Sequence, residues 1–145
     1  MIFLFMKKII LVVDDEKEVH ELIRAYLAHL NVEICSAYNG EEGVRLYKDL
    51  MAKGRKPDLV VMDLNLSGTR RREDMIKQMK GEQMDGVKAT EEIMNIDSNA
   101  NVIGFTAFAH LDWGKKLRAI GVKNVFGREI GFDGFAKVVT KIIGA

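Results

Sequence analysis

Leu59-Val60-Val61-Met62-Asp63-Leu64-Asn65 opens with four apolar residues, ends them in a carboxylate, and starts two residues after Pro57. An uninterrupted apolar run of this length reads as a strand buried on both faces. Asp63 then stands at the carboxyl end of that strand, where open α/β sheets place their chemistry. A lone aspartate there more often caps a turn, so the reading depends on what the rest of the chain brings to it.

The chain has 145 residues, with 22 Lys and Arg against 21 Asp and Glu, a net charge of +1. That length suits one domain with a core and several helices around a sheet. The near-balance of charge argues against a dedicated nucleic-acid or membrane-surface protein. Cys35 is the single cysteine, so no intramolecular disulfide can form, and no Cys/His spacing suits a metal. It reads as a small buried hydrophobe near a strand end, and a reducing cytoplasm fits. Residues 1–6 are apolar, but Lys7-Lys8 interrupt the run, and no positive segment precedes it. Neither a membrane span nor a signal peptide is expected, only an extension ahead of a single domain at 7–145.

Outward from the opening stretch, Ile9 to Val13 is a second continuous apolar run, broken by Asp14-Asp15-Glu16. Val19, Leu22, Ile23, Tyr26, Leu27 and Leu30 then recur at helical spacing, predicting one wide apolar face. Val32 to Cys35 is a short strand whose Glu33 suggests a sheet edge. Asn39-Gly40 leads into a helix marked by Val44, Tyr47, Leu50 and Met51 and closed by Gly54. Val87, Thr90, Ile93 and Met94 mark another, and Val102 to Phe105 is a strand ending in Thr106. A helix through Leu111, Leu117 and Ile120 stops at Gly121, and Val122 to Phe126 is a last strand with Lys123 and Asn124 in it. Phe132, Phe135, Val138, Val139, Ile142 and Ile143 close the chain as a helix.

Five strands alternating with five helices imply a doubly wound parallel sheet with right-handed crossovers. The three wholly apolar strands belong in the middle and the two charged ones at the edges. A flavodoxin-like order, 2-1-3-4-5, satisfies this and makes the first and third strands neighbours. Asp14, Asp15 and Asp63 then meet in one crevice. Three converging carboxylates raise one another's pKa unless a cation relieves them, and oxygen-only donors favour Mg²⁺. The plainer alternative is that Asp14 or Asp15 caps the first helix.

Val13-Asp14-Asp15-Glu16, Pro57-Asp58-Leu59-Val60-Val61-Met62-Asp63, Met84-Asp85-Gly86 and Phe105-Thr106-Ala107 together resemble the response-regulator receiver domain. The likeness runs from Lys7 to Ile143, each motif weak alone and strong in combination. It implies that Asp63 is the phosphoacceptor and that Asp14, Asp15, Asp63 and the backbone carbonyl of Asn65 hold Mg²⁺. It further implies that Thr106 hydrogen-bonds the phosphoryl oxygens. The implied partners are a sensor histidine kinase or phosphotransfer protein and an unidentified downstream protein. No DNA contact and no membrane insertion are expected, and the implied state is a monomer or weak dimer.

Four positions depart from the family pattern. Arg128-Glu129 stands where the family has lysine and proline. Arg128 either makes a forked phosphate contact or points to solvent. The family's Lys-Pro bond is cis; before Glu129 a cis bond costs about 2.5–4 kcal/mol, so trans is expected. Val125 replaces the switch aromatic, while Phe126 faces the other way by strand alternation. Phe108 and Trp113 are the alternative reporters of state. Phe108, two past Thr106, is bulky and apolar where water access to a phosphoaspartate is controlled. Residues 69–83 are an insertion, in which Arg70-Arg71-Arg72 precede Met75, Ile76 and Met79 on one helical face, with Lys77 and Lys80 outside it. A short amphipathic helix ending near Gly81 is predicted, as a solvated flap or as a lid or recognition element.

The chain ends about one residue past its last helix, so a stand-alone receiver signalling by protein contact is expected, not a conventional enzyme. The face carrying 107–120 and 132–143 is its expected interface, and the switch is useful only if a partner binds the two states differently. The alternative is a pseudo-receiver, a constitutive interaction module that keeps the fold without switching. A flavin-type cofactor site is disfavoured, because Asp14-Asp15-Glu16 would repel a phosphate without a metal.

Overall fold

The computed structural model describes residues 7–66, 72–80, 84–110 and 112–144, without the side chains of 74, 75, 78 and 79. The N-terminal extension, the flanks of the proposed insertion with Arg70, Arg71 and Gly81, and Leu111 lie outside the described residues. The apolar runs form five parallel strands: β1 (Lys8–Val13), β2 (Val32–Ala37), β3 (Leu59–Met62), β4 (Val102–Thr106) and β5 (Val125–Gly127). Their order is β2-β1-β3-β4-β5. Every residue of β3 and β4 is buried, and all of β1 after Lys8, whereas β2 and β5 are mostly half-buried. The apolar strands therefore occupy the middle, as their composition requires.

Six α-helices occur among the described residues: α1 (Lys17–Tyr26), α2 (Gly40–Ala52), α3 (Arg72–Met79), α4 (Gly86–Ile96), α5 (Asp112–Ala119) and α6 (Gly131–Ile143). Strand alternation divides the core. Leu11, Val13, Val60, Met62 and Val102 meet residues of α2, α4 and α5, among them Tyr47, Ile93 and Leu117. Ile10, Val12, Leu59, Val61 and Ile103 meet Val19 and Ile23 of α1 and Phe135 and Val139 of α6. Asn39 caps α2 by accepting from the Glu42 N–H at 2.8 Å. Gly54 follows the helix at φ 71°, a left-handed stop that glycine adopts without a Cβ penalty. No helix among the described residues is long and apolar enough to cross a membrane.

Several expectations shift. β2 runs to Ala37 rather than ending at Cys35. β5 is confined to Val125–Gly127; Lys123 and Asn124 precede it, although the Asn124 carbonyl already accepts from the Gly104 N–H at 2.9 Å. The buried stripe of α1 is narrower than its apolar spacing suggests, since Leu22 and Tyr26 stay 40% and 42% exposed. The predicted helix after β3 is present as α3, with Ile76, Lys77 and Lys80 exposed; Met75 and Met79, the rest of the predicted apolar face, lie outside the described side chains.

Register is what positions the chemistry. Val13 pairs with Met62, and Thr106 with Gly127. One further ladder bond joins the Asp63 N–H to the Val13 carbonyl at 3.0 Å. Asp14, Asp63, Thr106 and Arg128 thus leave the sheet at one edge.

At the end of α4, Asp97 is buried and its Oδ2 accepts from the Tyr47 hydroxyl at 2.7 Å and from Lys56 Nζ at 2.8 Å. Lys56 first, and then Tyr47, hold the Asp97 carboxyl below the ordinary carboxylate range. A depressed folded pKa contributes stability above the ordinary value of about 3.9, lost as pH falls through the depressed one. Asp97→Asn is expected to lower stability by about 1–3 kcal/mol at pH 7, by removing the charge that strengthens the bonds from Lys56 and Tyr47. In urea titrations the gap between variant and parent should narrow as pH falls below the ordinary carboxylate value and through the depressed one.

Candidate functional site

Asp63 follows β3 directly and is 3% exposed. Its Oδ1 accepts from the Leu64 N–H at 2.8 Å, while Oδ2 faces Arg128 Nη2 at 3.9 Å. Burial, and then the charge of Asp14, push its carboxyl well above the usual range, against opposing pulls from Arg128, Thr106 and the Leu64 amide.

Asp14 is equally buried and held at every polar atom. Its N–H donates to the Ala37 carbonyl at 3.1 Å, and its carbonyl accepts from His20 Nε2 at 2.7 Å. Oδ1 accepts from the Glu16 N–H at 2.8 Å, and Oδ2 from Arg128 Nη2 at 2.8 Å. Asp14, Asp15 and Glu16 can bring carboxylate oxygens within 4.8 Å of one another. Asp63 adjoins this group rather than joining it. Glu16 joins the acidic group without a place in the ligand set that the resemblance implies, its signal being three consecutive acids after a buried strand. Nothing in the sequence marks His20.

These donors fit Mg²⁺. All are oxygens, and burial first, then the charge of Asp14, raise the carboxyl of Asp63, a cost that a bound cation would offset. Asn65 is buried beside them, 2% exposed.

Arg128 turns inward, against the solvent-facing alternative. Besides Asp14, its Nη2 donates to the Phe105 carbonyl at 3.1 Å, and the guanidinium lies 4.6 Å over the Phe105 ring. It sits in a short 3₁₀ turn, Arg128–Ile130, that leads into α6. No described peptide is cis, so the Arg128–Glu129 bond is trans as expected. Val125 packs on the α5 side of the sheet and Phe126 on the other.

Thr106 is fully buried, and its Oγ1 accepts from the Phe108 N–H at 3.2 Å. Phe108 meets Trp113 edge-on, with ring centroids 5.7 Å apart. Trp113 Nε1 donates to Asp85 Oδ2 at 2.9 Å, and Asp85 Oδ1 caps α4 by accepting from the Lys88 N–H at 2.9 Å. The Gly86 N–H donates to the Leu64 carbonyl at 3.0 Å, and a Cβ at Gly86 would collide with the Asp63 carbonyl. Met84-Asp85-Gly86 therefore seats the first turn of α4 on the loop that carries Asp63.

The family model described as the response regulator receiver domain matches residues 10–139. The chain is 32% identical over 99 residues to the chemotaxis protein CheY of Thermotoga maritima, covering 68% of this chain and 66% of that protein. It is 26% identical to the sporulation initiation phosphotransferase F of Bacillus subtilis, covering 95% of each. Among solved structures, the CheX–CheY–BeF3–Mg complex from Borrelia burgdorferi shares the fold, with a TM-score of 0.73 at 22% identity, over 94% of this chain and 89% of that one.

A raised folded pKa at Asp63 means that stability falls as pH climbs from the ordinary carboxylate range through the raised value. Asp63→Asn removes that cost. In buffer containing EDTA at pH 8, the variant is expected to unfold at higher urea than the parent, with a gain of about 1–2 kcal/mol.

Proposed function

As the chain belongs to the response regulator receiver domains, we propose that it is a two-component signalling switch that accepts a phosphoryl group on Asp63. The observation that carries the reading is Asp63 buried at the end of β3, with Asp14, Thr106 and Arg128 gathered around it. Leu64 occupies Oδ1, which leaves Oδ2 as the oxygen to attack phosphorus. The new bond joins Oδ2 to phosphorus as the bond to the donor's leaving group breaks, and that group departs with the electron pair. Thr106 and Arg128 supply donors for the phosphoryl oxygens, and Phe105 keeps the guanidinium in place. Asp14, Asp15, Asp63 and the Asn65 carbonyl would hold Mg²⁺. When bound, that ion supplies positive charge against the charge gathered on the transferring phosphoryl.

The phosphodonor in this reading is a sensor histidine kinase or a phosphotransfer protein in the cytoplasm, consistent with a relative named as a phosphotransferase. The output is a contact with a downstream protein, and α3, a helix between the acceptor loop and α4 whose described side chains are exposed, is a recognition element for a partner. Two observations favour the alternative of a constitutive interaction module. Arg128 is engaged with Asp14, and Val125 replaces the switch aromatic.

Incubation with acetyl phosphate and Mg²⁺ should add one phosphoryl mass to the intact chain, located at Asp63 and lost on EDTA treatment before labelling. Asp63→Asn should abolish it, and Thr106→Ala should slow labelling on the order of 100-fold. A parent chain that takes up no label under these conditions is the constitutive module.

A further inference from the structure

We propose that His20 is a positioning residue for the acidic loop, fixing Asp14 for cation binding through its backbone carbonyl. The inference rests on the metal-dependent reading of Asp63. His20 lies in α1, six residues after Asp14, with its ring fully buried. The Asp14 N–H donates to the Ala37 carbonyl at 3.1 Å, where the chain leaves β1 beside the end of β2. His20 Nε2 meets it at 2.7 Å. A carbonyl oxygen only accepts, so the proton sits on Nε2.

The other side of the ring holds that assignment. Nδ1 lies 2.9 Å from Ser36 Oγ, and Arg24 Nη2 donates to the same oxygen at 2.9 Å. Ser36 therefore accepts from arginine and gives its own proton to Nδ1. The Tyr38 ring, 4.4 Å away centroid to centroid, closes the pocket over the imidazole. The chain Arg24, Ser36, His20, Asp14 crosses from α1 to β2 and back to the end of β1.

What this does is chemical as well as structural. Asp14, Asp15 and Glu16 can set three negative charges within 4.8 Å, an arrangement that pushes its own loop open. A donor on the Asp14 carbonyl resists that opening without placing a competing cation among the carboxylates. Groups one layer behind a metal ligand commonly change metal affinity by about 10- to 100-fold when removed.

The test is Mg²⁺ titration of the full chain by calorimetry, with urea midpoints measured in EDTA on the same proteins. His20→Phe keeps a ring and deletes the donor; it should weaken Mg²⁺ binding by about 10-fold. His20→Gln restores an N–H donor and should bind within about 3-fold of the parent, whatever its urea midpoint. Parental affinity in a folded H20F, or equal losses in H20F and H20Q, overturns the proposal. If H20F does not fold, Ser36→Ala, which leaves the ring in place, decides: weaker binding supports the relay and unchanged binding overturns it. A parent chain that binds no Mg²⁺ removes the metal-dependent reading itself, and this inference falls with it.

Discussion

The site depends on one hydrogen bond beyond the regular ladder, from the Asp63 N–H to the Val13 carbonyl. Parallel pairing fixes which residues leave a sheet together, and a slip of one position would send Asp63 to the opposite side of the sheet. Val13 opposite Met62 makes Asp14 and Asp63 immediate neighbours. Thr106 opposite Gly127 brings Arg128 in from the far edge. Nothing local to any of these residues requires the encounter. The buried, β-branched bodies of β1 and β3 fix it, because their side chains fit only one alternation between the two core layers.

What gathers there is an electrostatic conflict with a partial remedy. Asp14 and Asp63 are buried near each other, and desolvation and mutual repulsion both favour a proton on Asp63. Arg128 relieves Asp14 at 2.8 Å but stands 3.9 Å from Asp63. The relief is uneven, and it leaves Asp63 as the group whose charge state is most open to a nearby positive charge. A site that was fully neutralised at rest would gain little from a cation or from a phosphoryl group.

Most of the architecture was legible in the sequence because it is written in periodicity. The runs Ile9–Val13 and Leu59–Met62 announce buried strands, and the acids that end them announce the edge at which chemistry occurs. Legibility fails where a long side chain chooses between directions. Arg128 reads equally as an inward-facing or as a solvated residue; only Asp14 and the Phe105 ring and carbonyl, brought in by folding, show that it turns inward. His20 fails for a related reason. On a helical wheel it is one more residue beside Val19 and Ile23, and its partners, Ser36 and the Asp14 carbonyl, are adjacent only after folding. The breadth of α1 was misread because apolar spacing does not say how far a face is covered, and Leu22 and Tyr26 remain exposed.

The bond between the Gly86 N–H and the Leu64 carbonyl has a consequence for how such a chain can vary through descent. It ties the exit of β3 to the entrance of α4, a neck closed at its base. The trapped cap of α4, Asp85 with the Trp113 indole against it, tightens the same neck. Lengthening a segment whose ends are already joined costs little, on the order of 0.6 kcal/mol for each doubling. Additions there leave the spacing of Asp63 from its neighbours untouched. The neck is thus a point of permitted growth, where lineages can acquire new surface beside an unaltered reactive centre. The constraint falls on Gly86 itself, since any larger residue would press on the Asp63 backbone and open the neck.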